Sequence, residues 1–414
     1  MEPSMSLDDN PDNRKVSIPQ TIWILGLVSF FSNSAAVVIT ALTPEFVINV
    51  LGSTPAAVGY IRGLSESISY LVKLFSGVFS DWLGKRKVLI LIGYLCAAFT
   101  KPMFAISKGL GLYVTAQFLE RITNGLRDTP RDALIADCAP REVKGDSYGI
   151  RNSFAYVGSL VGSVACVFIL ASCTGDSSES IRLVYWIASI PIFLSVLLIY
   201  FCIKEPTGIA RLKDRKGFPI KMSDVKQLGS KFWYYMLICF IFMCSRYSEA
   251  FLALRAKEIG LSLKYVPLIL AVMYLFNAPT SKIVGSWSDR HERKIFLAFG
   301  FCMMMASCMI MALATEIWHV FVGAAIYGIH WGATQGTFYA MVTDYSPPQI
   351  KGTSIGIFNL VYSAGICVSN VLMGELWTRH GADVALTVNG AITFVAAVGI
   401  MFVKQNPKDK VEVK

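Results

Sequence analysis

The feature that most constrains this chain is its division into long apolar stretches separated by short polar ones. Twelve can be read, at about 20–43, 55–80, 88–106, 112–136, 147–172, 183–203, 232–254, 265–287, 295–314, 317–343, 353–376 and 385–403. A hydrocarbon core of about 30 Å needs about 20 apolar residues in a helix, and each stretch is near that length. Hydrophobic residues make up 54% of the 414 and charged ones 16%, with a mean hydropathy of +0.53. A soluble domain is roughly a quarter charged and could not hide this much apolar surface. The expected fold is an all-α membrane protein of 12 transmembrane helices in two six-helix bundles.

The one long interruption, 204–231, is polar and basic and reads as a linker between bundles at 20–203 and 232–403, with tails at 1–19 and 404–414. Bases concentrate in alternate loops: Lys85, Arg86, Lys87, Arg141, Lys144, the linker, Arg290, Arg293, Lys294, Lys351 and the C-terminal tail. The net charge of +10 therefore points to the cytoplasmic face of a membrane rather than to nucleic acid, and both termini are expected to be cytoplasmic. Arg255, Lys257 and Lys264 fall on the other side against this trend. The first nineteen residues lack an apolar core, so no cleaved signal is expected. All ten cysteines lie in or beside apolar segments without a C-x-x-C pair, which reads as buried thiols rather than disulfides or a zinc site. Neither metal nor cofactor is expected.

The chain is also written twice. Gly125, Ala133, Asp137, Pro140, Lys144, Gly145, Ser147, Gly149, Ile150, Asn152 and Gly158 recur 207 residues later, from Gly332 to Gly365. Unrelated segments of this length would share roughly two or three identities. An even number of spans per copy makes the repeats parallel, which places a substrate site between them near mid-membrane. Each copy also carries a charged hairpin between two spans. The first includes Gly77, Asp81, Gly84, Lys85 and Arg86, the second Gly285, Asp289 and Arg290, with the aspartates 208 residues apart.

The hairpin pattern G-x-x-x-D-x-x-G-[RK]-[RK], the twelve spans and the central basic linker resemble the major facilitator superfamily of secondary transporters. Trp82 and Glu292 depart from the pattern. The stretches 127–137 and 251–256 narrow the resemblance to a bacterial subgroup, mostly without assigned substrate, over about 27–381. The resemblance implies that Asp81 meets the start of the eleventh helix near Gly352 and Thr353, and Asp289 the start of the fifth near Gly145 and Asp146. Aspartates there accept hydrogen bonds from unpaired helix N–H groups, with Lys85, Arg86 and Arg290 completing charge-assisted pairs. Such contacts form only when the cytoplasmic side is closed. The competing reading is that these charges only set topology.

Ionisable groups inside spans are costly and usually face a cavity or a partner. Arg62, Glu66 and Lys73 share one face of the second helix with Tyr70; a self-neutralising Arg62–Glu66 pair is the structural alternative, and Lys73 can reach the interface. On the fourth helix Arg121-x-x-x-Gly125 is similar to the family's pattern associated with proton coupling, and Arg127, Asp128, Arg131 and Asp132 follow. A structural salt-bridge network there is equally open. Arg151, Arg246, Glu249, His330, Gln335 and Asn359 complete the cavity candidates; a lone histidine is more often a packing residue.

In the subgroup, acids stand where this chain has Asn33, Val37, Arg62, Ala155 and Gln335, and a proline where it has Ser163. The cavity should therefore be neutral to basic, and guanidinium suits carboxylates and phosphates. The expected function is secondary transport of a small anionic solute, such as a carboxylate siderophore, organic acid or phosphate. Protons are the expected coupling ion and a monomer in a bacterial inner membrane the expected form. The alternatives are proton-coupled multidrug efflux, and a transporter fold used as a sensor. No G-x-S-x-G, H-E-x-x-H or phosphate-cradling loop supports an enzyme.

Overall fold

A computed structural model describes residues 18–83, 85–140, 143–203, 225–288, 290–347 and 350–403, without the side chains of 78, 81, 82 and 144. Gly84, Asp289, the Asp81 side chain, both tails and most of the linker thus lie outside the described residues. The described chain is helical and holds no strand: α1 Gln20–Glu45, α2 Pro55–Leu83, α3 Arg86–Ile106, α4 Leu110–Cys138, α5 Lys144–Ser172, α6 Ser177–Ile187, α7 Ser189–Cys202, α8 Ser230–Met243, α9 Ala250–Glu258, α10 Pro267–Ser288, α11 Arg293–Ala312, α12 Ile317–Asp344, α13 Lys351–His380 and α14 Ala382–Met401. Helices occupy all twelve apolar stretches, but those at 183–203 and 232–254 are each split in two.

Local chemistry explains several boundaries. Pro55 and Pro267 open α2 and α10, where the missing N–H is one of the orphans of a helix start. Gly381 ends α13 at φ 87°, in the left-handed region, its N–H bonded to the Trp377 carbonyl. Among the described residues, eight helical stretches are long and apolar enough to cross a membrane by length and composition. Of the other long helices, α2 and α4 carry ionisable residues through their middles and α12 carries polar ones.

The same packing is made twice. In the first half α4 packs on α2 and α3, and α1 on α5 and α7; in the second α12 packs on α10 and α11, and α8 on α13 and α14. The repeat reaches atomic detail. A methyl built on Gly125 of α4 would stand 2.6 Å from the Ser69 carbonyl of α2, and one on Gly332 of α12 would stand 2.7 Å from the Asn277 carbonyl of α10. Lipid gives helices no hydrophobic drive to associate, so such close backbone approach at small residues holds them together. Between the halves α2 packs along α13 and α5 along α10.

Candidate functional site

Between the halves lies a cavity of about 280 Å³, lined from α1, α2, α4, α5, α10, α12, α13 and the unwound segment between α8 and α9. That segment, 244–249, supplies Arg246, Tyr247, Ser248 and Glu249. Irregular backbone at membrane depth is tolerated where it is buried in protein or lines a cavity, and here three bonds hold it. The Ser248 N–H donates to Asn370 Oδ1 at 2.8 Å, the Tyr327 hydroxyl to the Tyr247 carbonyl at 2.6 Å, and Arg62 Nε to Ser248 Oγ at 2.9 Å.

Charge is unevenly matched around the void. The lining holds six bases, Lys73, Arg121, Arg127, Arg131, Arg151 and Arg246, against three acids, Glu66, Asp128 and Glu249. Glu66 Oε1 stands 2.8 Å from Arg121 Nη2 and 3.0 Å from Arg62 Nη2, and Glu249 Oε1 stands 3.4 Å from Arg62 Nη2. Asp128 is shared by Lys73 at 3.0 Å and Arg131 at 3.0 Å. Arg246 has no carboxylate within ion-pair distance among the described residues. It donates to the Tyr362 hydroxyl and lies 4.7 Å from the centre of the Trp331 ring. Much of the rest of the wall is aromatic, with the Tyr70 and Tyr362 rings tilted by 34° and their centres 4.1 Å apart.

The structure brings together at this cavity Glu66, Arg121, Arg127, Arg131, Arg151, Arg246 and Glu249, with Arg62 buried directly behind its wall. Besides Arg62, four candidates do not line it. Asp132 lies to one side, 3.6 Å from Arg131 Nε. His330 falls between the lining residues Tyr327 and Trp331 on α12, so helical phase turns it into the bundle, with Nδ1 3.2 Å from the Gly300 carbonyl. Gln335 accepts from Trp331 Nε1, and Asn359 from the Tyr339 hydroxyl at 3.0 Å. Two buried ionisable residues of the spans escaped the sequence reading: Lys101 and Glu120, 2.9 Å apart between α3 and α4. The rule that selected their neighbours applies equally to them.

The two ends of the molecule differ. At the end away from the hairpins, the Ala56 N–H donates to Thr378 Oγ1 at 2.8 Å, the Tyr60 hydroxyl to Glu375 at 3.0 Å, and Lys257 stands 3.6 Å from Glu45. Ser67 Oγ and Ser363 Oγ each donate to the other residue's carbonyl, at 2.7 and 3.0 Å. At the hairpin end Gly145, Asp146, Lys351 and Gly352 are exposed, and a methyl on Gly145, Gly285 or Gly352 would meet nothing within 4 Å among the described residues. Gly77 abuts Thr129, and Lys85 and Arg290 are exposed. Arg86 pairs with Asp137 at 2.5 Å and Arg293 with Asp344 at 2.5 Å, the same pair in each repeat.

Two helical repeats enclosing one polar cavity, closed at one end, define a multi-pass membrane protein built for transport. Residues 22–370 match the Major Facilitator Superfamily, with a second match over 250–414, and the chain belongs to that superfamily as an MFS-type transporter. It is 26% identical over 403 residues to an MFS-type transporter of Methanocaldococcus jannaschii, covering 95% of this chain and 97% of that protein. It is 22% identical over 249 residues to the human lysosomal dipeptide transporter MFSD1, covering 56% of this chain and 52% of that one. A POT family transporter crystallised with 5-aminolevulinic acid superimposes with a TM-score of 0.76 at 11% identity, covering 95% of this chain and 97% of the other.

Proposed function

We propose that this transporter carries a small anionic solute, a carboxylate or phosphate, across a bacterial inner membrane by alternating access coupled to protons. The observation that carries this reading is the excess of buried guanidinium over carboxylate in the cavity, above all Arg246, which faces the void without an acid partner among the described residues. Burying an unmatched cation costs several kcal/mol, a cost an incoming anion would offset. A volume of about 280 Å³ lies at the low end of the roughly 300–1,000 Å³ of ligand sites, which favours an organic acid or phosphate over a bulky siderophore. The M. jannaschii relative is named for no solute, whereas MFSD1 is named for dipeptides and the POT structure contains an amino acid with a free carboxylate. Glu66, Glu249 and Asp128, each held by bases, are the groups at which a proton would release a guanidinium. With the basic loops cytoplasmic, the described state faces inward.

Uptake of radiolabelled citrate, phosphate, a neutral sugar and a cationic dye into proteoliposomes, with and without a proton gradient, tests the reading. Gradient-stimulated uptake confined to the anions is expected; equal handling of all four would overturn it. The aromatic wall of Tyr70, Tyr247, Tyr274, Tyr327, Trp331 and Tyr362 favours a second reading, efflux of flat drugs. Under that reading the dye alone would move.

A further inference from the structure

We propose that Lys101, which lies outside the cavity, is a positioning residue for the solute site: by neutralising Glu120 it keeps the charge of Arg127 available to an anion. The inference rests on the anion reading above and names a device that preserves it. Lys101 of α3 and Glu120 and Arg127 of α4 are all buried, and of the three Arg127 alone lines the void.

Glu120 has two cations beside it. Lys101 Nζ stands 2.9 Å from Glu120 Oε1, whereas Arg127 Nη2 stands 3.9 Å from the same oxygen. The other carboxylate oxygen accepts from Thr100 Oγ1, on the helix that carries Lys101. Attraction weakens with distance, and the closer contact is within reach of a charge-assisted hydrogen bond, so the lysine claims the carboxylate. Among the described residues Glu120 is also the one acid within ion-pair distance of Lys101. That pair sums to zero, and the guanidinium is the charge left over.

The remaining partners of Arg127 orient it without cancelling it. Its Nη2 donates to Oδ1 of Asn124, itself a lining residue, and its guanidinium lies 4.3 Å from the centre of the Tyr94 ring. Its Nε and Nη1 are buried with no hydrogen-bond partner among the described residues. A methyl built on Gly93 would stand 2.8 Å from Arg127 Cβ, so α3 abuts the arginine's stem as well as supplying the lysine behind it. Without Lys101, Glu120 would be a buried carboxylate with Arg127 as its nearest cation. A bare buried acid is costly. The guanidinium would turn to it, and the cavity would lose the use of one of its bases.

The test is anion binding by titration calorimetry on purified full-length protein, with inorganic phosphate and citrate as probes. Lys101→Met is expected to raise Kd by about tenfold or more, as for a lost charged hydrogen bond. Lys101→Met/Glu120→Gln removes lysine and bare acid together and is expected to return Kd to the wild-type value. If the lysine only stapled α3 to α4, Lys101→Met would melt at a lower temperature with Kd unchanged, and that result overturns the proposal. So does a double variant whose Kd stays at that of the single one. Should Lys101→Met fail to purify, Arg127→Gln leaves the Lys101–Glu120 pair whole and is expected to weaken binding to a similar degree; wild-type affinity from it overturns the proposal as well. A wild type that binds neither probe overturns the anion reading and this inference with it. A wild type that binds while Lys101→Met binds as tightly overturns this inference alone.

Discussion

Arg246 and Arg62 are both buried arginines, and their surroundings assign them opposite tasks. Arg62 is matched by two carboxylates, whereas Arg246 has a hydroxyl and two ring faces, which attract a cation by about 0.5–2 kcal/mol. Replacing Arg246 by glutamine removes an unmatched charge along with those weaker contacts, so the melting temperature of Arg246→Gln should not fall. Transport should. Loss of a charged hydrogen bond to the solute costs about 1.5–3 kcal/mol, a roughly ten- to hundredfold rise in KM. Uptake kinetics and thermal unfolding on one preparation check both halves of the claim, and a variant that transports normally would remove Arg246 from the solute site. Much of this was legible in sequence, because an ionisable residue in an apolar span is rare enough to single out. What could not be read was direction. His330, Gln335 and Asn359 sit within one turn of lining residues, and a phase difference that small is set by packing. Nor does sequence tell that Arg255, an exception to the charge asymmetry, is used structurally: it donates to the Met311, Ala312 and Ala314 carbonyls at 3.0–3.2 Å and to Asp383 at 2.8 Å, closing the end of α11.

Among the helices, the break between α8 and α9 shows where periodicity stops being informative. Residues 232–254 read as one continuous span, and no glycine or proline interrupts them. The helix is opened instead by side chains from elsewhere, Asn370, Tyr327 and Arg62, which offer its backbone and Ser248 better partners. The seam of α2 with α13 is different, since its glycines are plain in the sequence although their partners are not. A methyl on Gly59 would lie 2.3 Å from the Asn370 carbonyl, and one on Gly374 would lie 2.8 Å from the Pro55 carbonyl. Gly59→Leu should therefore wedge the closed end apart without harming either half. The expected outcome is that a cysteine placed at Thr40, a cavity residue on α1, gains reactivity toward a membrane-impermeant maleimide applied from that side. Gly109→Leu, at a glycine with open space around it, should leave the reactivity unchanged. Equal labelling of both variants would show that the seam is not what seals the end.

At the scale of the molecule, the repeat was legible because identities at a fixed offset survive, and the structure translates them into the paired contacts of Gly125 and Gly332 and the paired bridges Arg86–Asp137 and Arg293–Asp344. Conformation was not legible, because one sequence encodes both the open and the closed arrangement of the halves. The register of the seam nevertheless says what the other state must look like. Along α2 and α13 the facing residues run Gly59 with Gly374, Gly63 with Asn370, Ser67 with Ser363, and Tyr70 with Tyr362. Continued for three more helical turns, this antiparallel register sets Asp81 opposite Lys351–Thr353, the first turn of α13, whose glycine now stands in open space. A carboxylate against that helix start is worth about 0.3–1 kcal/mol when exposed and up to about 2 kcal/mol when partly buried. It acts only when the hairpin end closes. Asp81→Asn should thus leave membrane insertion and yield intact while slowing uptake several-fold, because the closed state that returns the cavity to the opposite side is less populated. Uptake rates normalised to protein in the membrane decide it: wild-type rates from the asparagine variant would reduce the hairpin to a topology signal.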